Sequence, residues 1–356
     1  HDVFEVAHAG AAILLGNRDT QKAQRAHLAP QIGREFIVAV DIGGTHARFA
    51  IATISEDGAI TLGEPETLHT DDHASFQTAW EDFRKRMGGT LPPRIAMAIA
   101  GPVGDDVIRF TNNPWIIRPA LVRQKLGVDD YCIVNDFEAV AHAVARAPED
   151  QFLHLAGPDQ PLTDDGTISV MGPGTGLGVA HLWRSSGEYR VQATEGGHID
   201  FAPLDSIEDA ILARLRKRHR RVSVERVVSG PAIVDIYETL AAMENRKTRE
   251  EDDIAIWTRA LEDGEGLAAA ALDRFCLSLG SVAGDIALAQ GGFGGVVIAG
   301  GLGYRLRDHL PKSGFAQRFR AKGRFGELMA TIPVKLITHP QPGLFGAAAA
   351  FARNLR

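Results

Sequence analysis

The sequence predicts an α/β protein of two domains, and three observations carry that prediction. At 356 residues the chain exceeds one comfortable hydrophobic core. Short apolar runs alternate with segments of helical spacing, a pattern typical of a sheet covered by helices. In addition, an apolar strand, a glycine turn and a second apolar strand follow one another twice, about 130 residues apart.

Composition places the chain among globular proteins and excludes several other classes. The chain is 45% apolar and 23% charged, with a net charge of −7, which argues against a nucleic-acid surface. The basic run at 214–221 continues a helical pattern and therefore reads as a solvated helix face. The chain has two cysteines, Cys132 and Cys276, which are too few and too far apart in the sequence for a zinc motif. No stretch approaches 18 consecutive apolar residues, so we expect no membrane span and no membrane partner.

The first hairpin, at 36–54, carries the clearest functional signal. Its leading strand runs into Asp41, and the chain then turns over Gly43-Gly44-Thr45. Two glycines can take positive φ and remove side chains that would block a ligand. Successive turn N–H groups make an anion site, and Asp41 can hold Mg²⁺ directly or through water. The alternative is an ordinary hairpin with a tight turn.

The remaining elements of the first domain follow in order along the chain. Helical spacing at 74–87 leads to a strand at 94–100, and a strand at 131–135 runs into a helix that begins near Asp136. A carboxylate at this strand end can project from the sheet edge as a general base. It can equally belong to a helix cap with Asn135 as N-cap, and local features alone favour the cap.

The second domain repeats the pattern after a polar stretch at 157–166. Its hairpin at 168–180 turns over glycines that flank Thr175, whose hydroxyl and N–H can bind phosphate oxygens. A late strand at 294–303 ends in a Gly-Gly turn suited to a nucleobase and ribose. Neither a P-loop nor a G-x-G-x-x-G opening a helix occurs. Further helices are predicted near 206–220, 226–245, 253–262, 266–290 and 343–355.

These segments resemble the phosphate-1, phosphate-2 and adenosine elements of the actin-like ATPase superfamily. Within it, the chain resembles the non-zinc bacterial glucokinases from about Phe36 to its end. The resemblance is carried by V-D-I-G-G-T, A-I-A-G-P-V, T-N-N-P-W, I-V-N-D-F, G-P-G-T-G-L-G-V-A-H-L, E-G-G-H-I-D-F-A-P, E-R-V-V-S-G-P, V-I-A-G-G-L and P-G-L-F-G-A-A-A. It implies two ribonuclease H-like α/β domains with an interdomain cleft. The expected divisions are an N-terminal extension at 1–34, a smaller domain of 35–147 plus 338–356, and a larger domain of 148–337.

The resemblance also implies an activity and a set of site residues. The activity is ATP-dependent phosphorylation of glucose to glucose 6-phosphate, the first step of glucose catabolism, by a cytoplasmic, Mg²⁺-dependent homodimer. Asp136 would be the catalytic base. The implied sugar ligands are Asn135, Asp136, Glu195, His198, Glu225 and Asn112. The implied nucleotide site comprises Asp41, Ile42, Gly43, Gly44, Thr45, Gly174, Thr175, Gly300 and Gly301, with Asp41 also serving Mg²⁺.

Several alternatives stay open at this point. Glu195 and His198 have the spacing of a helical metal pair, but the two glycines between them favour a turn that can grip vicinal hydroxyls. Glu225 in isolation would pass as a surface residue. T-N-N-P-W can be a plain loop, and either Asn112 or Asn113 can face the sugar. The rival functions are a kinase for another hexose and a non-catalytic sugar sensor or repressor.

Overall fold

A computed structural model describes residues 33–110, 113–248, 252–262 and 266–355. The strands are β1 (Arg34–Ile42), β2 (His46–Ser55), β3 (Ile60–Leu62), β4 (Glu66–His69), β5 (Arg94–Ile99), β6 (Ile108–Arg109), β7 (Ile116–Ile117), β8 (Asp130–Asn135), β9 (Phe152–Ala156), β10 (Gly166–Pro173), β11 (Leu177–Ser185), β12 (Glu188–Thr194), β13 (Val296–Ile298) and β14 (Val334–Ile337). The helices are α1 (Phe76–Arg86), α2 (Val122–Leu126), α3 (Asp136–Arg146), α4 (Ser206–Arg216), α5 (Ala232–Met243), α6 (Asp253–Glu262), α7 (Gly266–Gln290), α8 (Gly300–Arg305), α9 (Phe315–Arg320), α10 (Gly326–Ala330) and α11 (Pro342–Asn354).

The described residues form two compact units, each built on its own mixed sheet. One unit contains the residues up to Ala143 and from Gln341 onward, and the other spans Val144–Pro340. The first sheet has the strand order β3-β2-β1-β5-β8, and the second has the order β12-β11-β10-β13-β14-β9. In both sheets, the first three strands of this order are antiparallel to one another in succession. The next two strands run parallel to the third, which is β1 in one sheet and β10 in the other. The predicted α/β class is thus confirmed, and the two units repeat one topology.

In the first unit, alternate residues of β1 enter different cores. Val38 and Val40 pack with Trp80 and other residues of α1 on one face of the sheet. Ile37 and Ala39 pack on the opposite face with the alanine-rich side of α11. Because side chains alternate along a strand, Asp41 continues the second series. The alternation of side chains along β1 therefore places this carboxylate on the sheet face that α11 covers.

The second unit buries its apolar side chains around the long helix α7. Leu272, Phe275 and Leu279 of this helix lie in the core with Met171 and Val179 of the sheet. In length and composition α7 would suit a membrane span, contrary to the expectation from the sequence, but most of its apolar stretch is buried within the unit. Burial against the sheet accounts for this apolar composition, so we describe α7 as a core helix.

Three element boundaries differ from the prediction. Helix α4 ends at Arg216, because Leu215 is the last buried residue of its periodic pattern before the basic run. Helix α5 begins at Ala232 and not near 226. A single 3-10 turn at Val224–Arg226 comes first, and a regular helix cannot continue through Gly230-Pro231 because proline lacks an N–H and disfavours a helical residue before it. The predicted Gly-Gly turn after β13 is wrong, because Gly300 opens α8 directly.

Candidate active site

The turn between β1 and β2 presents two backbone N–H groups that bind no acceptor within the described part of the chain. The N–H of Gly43 donates to His46 O at 2.9 Å, which closes the hairpin. Among the residues that the structure describes, the N–H groups of Gly44 and Thr45 have no acceptor. Two adjacent free donors of this kind form an anion site. The expectation of positive φ here is wrong for both glycines.

Asn113 lies behind this turn. Its Nδ2 donates to Gly43 O at 3.3 Å, and its Oδ1 accepts from the N–H of Trp115 at 2.9 Å. The side chain is buried and both of its polar atoms are engaged, so its observed role is to hold the turn. Asn112, the sugar ligand named from the resemblance, lies outside the described residues.

Asp41 is the penultimate residue of β1 and lies beside the first turn. Its carboxylate forms an ion pair with Arg48 of β2 at 3.3 Å, and its side chain is 21% exposed. Burial raises the pKa of Asp41, and the positive charge of Arg48 partly opposes that effect. A Cβ at Gly343 of α11 would lie 2.6 Å from Oδ2 of Asp41, so the helix approaches the carboxylate closely only because this residue is glycine. One partly exposed carboxylate beside free N–H donors fits Mg²⁺, which proteins hold through one or two carboxylates together with phosphates and water.

Asn135 and Asp136 stand at the junction of β8 and α3. Asn135 caps the helix, because its Oδ1 accepts from the N–H groups of Phe137 at 2.9 Å and Glu138 at 3.2 Å. Its Nδ2 donates to Gly101 O at 3.1 Å. Asn135 is thus the N-cap that local sequence features indicated, and Asp136 is the first residue of the helix.

The carboxylate of Asp136 lies at the same sheet edge as Asp41. Strands β1 and β8 both run parallel to β5, so their carboxyl ends share one edge. Burial raises the pKa of Asp136, the N–H of Phe137 at 2.8 Å opposes it, and the negative charge of Asp41 adds to the rise. A carboxylate with a raised pKa is a better proton acceptor than an ordinary aspartate. The first unit therefore combines N–H groups suited to an anion, a carboxylate suited to a cation and a candidate base.

The turn between β10 and β11 repeats these features in the second unit. Gly174 N–H donates to Gly176 O at 2.8 Å, and Gly230 N–H donates to Gly174 O at 2.7 Å. Thr175 is exposed, and in the described part of the chain neither its N–H nor that of Gly176 has an acceptor. A Cβ at Gly174 would meet no atom within 4 Å, so the space above this turn is open.

Leu177 joins this second turn to the predicted sugar ligands. Its N–H donates to Oε2 of Glu225 at 2.9 Å, and a Cβ at Gly176 would lie 2.5 Å from the same oxygen. A Cβ at Gly197 would lie 2.2 Å from the carbonyl oxygen of Leu177, so the E-G-G-H segment packs closely against the start of β11. One oxygen of Glu225 is therefore engaged by the turn, a contact that no local pattern in the sequence indicated.

Glu195 precedes a single 3-10 turn, Gly196–His198, and His198 is the last residue of that turn, in keeping with the turn that the glycines between them predicted. Nε2 of His198 lies 3.7 Å from Oε2 of Glu195, and both side chains are exposed. The described residues contain no cluster of three or more metal-ligating side chains. Two adjacent, exposed polar groups of this kind are suited to neighbouring hydroxyls of a sugar.

Gly300 places the start of α8 against the second turn. Its φ is +83°, and a Cβ there would lie 2.9 Å from Pro173 O. Only glycine meets both conditions without strain. Gly301 is exposed, and a Cβ there would meet no atom within 4 Å. The contribution of both residues to an adenosine site stays a prediction.

Comparison with known proteins identifies one family. A sequence model described as Glucokinase matches residues 38–354. A glucokinase of Zymomonas mobilis is 59% identical over 318 residues, which cover 89% of this chain and 98% of that protein. A glucokinase of Caulobacter vibrioides is 41% identical, covering 87% and 93% of the two chains. The crystal structure of a glucokinase from an Antarctic psychrotroph superposes with a TM-score of 0.79 at 34% identity, covering 90% of this chain and 98% of the other.

Proposed function

Because the chain belongs to the glucokinase family, we propose that it transfers the γ-phosphoryl group of ATP to the 6-hydroxyl of glucose. The observation that best supports the proposal is the shared sheet edge of Asp41 and Asp136, next to the free N–H groups of Gly44 and Thr45. Phosphoryl transfer needs a positioned acceptor, a base for the hydroxyl proton and electrostatic stabilisation of the phosphates. This edge offers groups suited to the last two requirements.

In the proposed reaction, Asp136 accepts the proton of the 6-hydroxyl as its oxygen attacks the γ-phosphorus. The bond between the γ-phosphorus and its bridging oxygen breaks, and ADP leaves. The N–H groups of the two turns, at Gly44-Thr45 and Thr175-Gly176, bind phosphate oxygens, and Asp41 would hold Mg²⁺. Bound Mg²⁺ supplies positive charge that offsets the charge developing on the phosphates.

The sugar would be held by polar side chains around its hydroxyl groups. The proposed ligands are Glu195, His198 and Glu225, together with Asn135 and Asn112. Carboxylate and amide acceptors suit a hydroxyl-rich substrate, because the wrong epimer leaves an acceptor unpaired. The unpaired acceptor is the physical basis on which we expect glucose to be preferred over other hexoses.

The proposal extends to a cytoplasmic, homodimeric enzyme that needs Mg²⁺ as its metal, in keeping with the resemblance described above. Size-exclusion chromatography with light scattering tests the dimer directly, since a monomer mass at micromolar concentration would contradict it. Chelation followed by addition of Mg²⁺ or Zn²⁺ tests the metal, and we expect Mg²⁺ to restore activity.

A panel of hexoses tests the activity. Glucose, mannose, fructose and N-acetylglucosamine are each supplied with ATP and Mg²⁺, ADP release is followed for all four, and a reaction without sugar is the control. We expect the highest kcat/KM with glucose and little ADP release without sugar. A higher kcat/KM with another hexose would overturn the substrate assignment. No sugar-dependent ADP release would overturn the kinase assignment.

A further inference from the structure

Thr70 is a buried polar residue whose two hydrogen-bond donors both reach the first turn. It follows β4, opens a single 3-10 turn (Thr70–Asp72) and has an exposure of 0%. Its hydroxyl donates to Gly44 O at 2.8 Å, and its N–H donates to Thr45 O at 3.0 Å. A buried hydroxyl requires a partner. Here that partner is a backbone carbonyl of the proposed phosphate site.

These contacts determine where the free N–H groups point. In a trans peptide, the carbonyl of one residue and the N–H of the next point in opposite directions. Because Thr70 holds the carbonyl of Gly44, the N–H of Thr45 is directed away from the protein side of the turn. Asn113 acts in the same way one peptide earlier, since its contact with Gly43 O turns the N–H of Gly44 outward.

We propose that Thr70 is a positioning residue that keeps the first phosphate turn in its binding conformation before the nucleotide arrives. Thr70 would touch neither substrate, and its hydroxyl would act through the peptide between Gly44 and Thr45. A preorganised site loses less conformational freedom on binding and aligns its dipoles before the reaction. This inference rests on the proposed function.

Thr70 is a sharper test position than Asn113. The amide of Asn113 also accepts from the N–H of Trp115, so replacing it would disturb the fold of the following segment. The hydroxyl of Thr70 makes its hydrogen bond to Gly44 O, and valine has nearly the same shape without that donor. Thr70→Val therefore removes one hydrogen bond, whereas Thr70→Ser retains it.

The test measures nucleotide and glucose binding separately by titration calorimetry. In Thr70→Val we expect the Kd for Mg²⁺–AMP-PNP and the KM for ATP to rise about tenfold, the scale of one net hydrogen bond. The Kd for glucose should stay within about twofold. Thr70→Ser should remain within about threefold of wild type for all three constants. Thr61→Val, the same change at an exposed position of β3, is the matched control and should have no effect.

Two outcomes would overturn the proposal. One is unchanged nucleotide binding in Thr70→Val, and the other is an equal loss in Thr70→Ser, which would point to packing by the methyl group. Should Thr70→Val fail to fold, Thr70→Ser and Thr70→Ala differ only by the hydroxyl, and the proposal then requires weaker nucleotide binding in Ala than in Ser. Wild-type protein that binds AMP-PNP without phosphorylating glucose would refute the proposed function and leave the role of Thr70 testable.

Discussion

Gly343→Ala should disable the enzyme through a single added methyl group. The new Cβ would lie 2.6 Å from Oδ2 and 2.7 Å from Cγ of Asp41, whereas ordinary contact begins at 3.4 Å. The carboxylate and α11 must therefore separate by about 0.8 Å. A displacement of about 1 Å in a reacting constellation costs roughly 10²-fold in rate. We thus expect kcat/KM for ATP to fall by about two orders of magnitude.

The folding stability of Gly343→Ala should change little. Alanine is favoured over glycine within a helix by about 1 kcal/mol, which offsets part of the overlap. The control is Gly346→Ala on the same helix, where the added Cβ would overlap the backbone carbonyl of Ala139 and cannot be relieved by a side chain. That variant should lose thermal stability. Gly343→Ala with kcat/KM within threefold of wild type, or with a stability loss equal to that of Gly346→Ala, would refute the reasoning.

Three further outcomes are expected. Burial lowers the pKa of His142 to about 4, with the charge of Arg353 as a smaller cause. The unfolded chain therefore takes up a proton near pH 6.5 that the native protein does not, so acidification from pH 6.5 toward 4 should remove about 3 kcal/mol from the free energy of unfolding. Urea titrations should show this part of the pH dependence disappear in His142→Gln, and equal slopes in both proteins would contradict it. Glu208 is 1% exposed and contacts Arg318 at 3.1 Å and Arg274 at 3.6 Å, so Glu208→Gln should lower the free energy of unfolding by about 3–5 kcal/mol. Asp273→Asn, at an exposed carboxylate that contacts His309 at 3.2 Å, should change it by less than about 1 kcal/mol. Purified protein should contain far less than one zinc per chain by elemental analysis, because the described residues hold no cluster of three or more metal-ligating side chains.

Local sequence patterns predict much of the fold because they record which side chains are buried. Alternating apolar residues in β1 and β2 place the first hairpin correctly, and the helical spacing before Arg86 predicts α1. The alternation of side chains along β1 also indicates on which face of the sheet Asp41 lies. The helix cap at Asn135 was also predicted from the sequence, since N-capping depends on residues within one helical turn.

The parts of the site that the sequence did not reveal depend on contacts between distant segments. Gly343 touches Asp41 from about 300 residues away, and Glu225 reaches Leu177 across 48 residues. Thr70 stands before two aspartates and reads as an ordinary loop residue. Gly300 was expected in a turn, and its approach to the carbonyl of Pro173, 127 residues earlier in the chain, left no signal in the local sequence. No local pattern specifies such long-range contacts.

The most direct test of the account is single-turnover phosphorylation of glucose by Asp136→Asn at saturating MgATP. The account predicts a rate lower by roughly 10²–10⁴-fold, the usual scale of general-base catalysis, with glucose affinity nearly unchanged. The wild-type rate should fall on acidification through the raised pKa of Asp136, because the base must be deprotonated, and the variant should lack that decline. A variant that keeps the wild-type rate and loses thermal stability would contradict the account and leave Asp136 a residue of the helix cap.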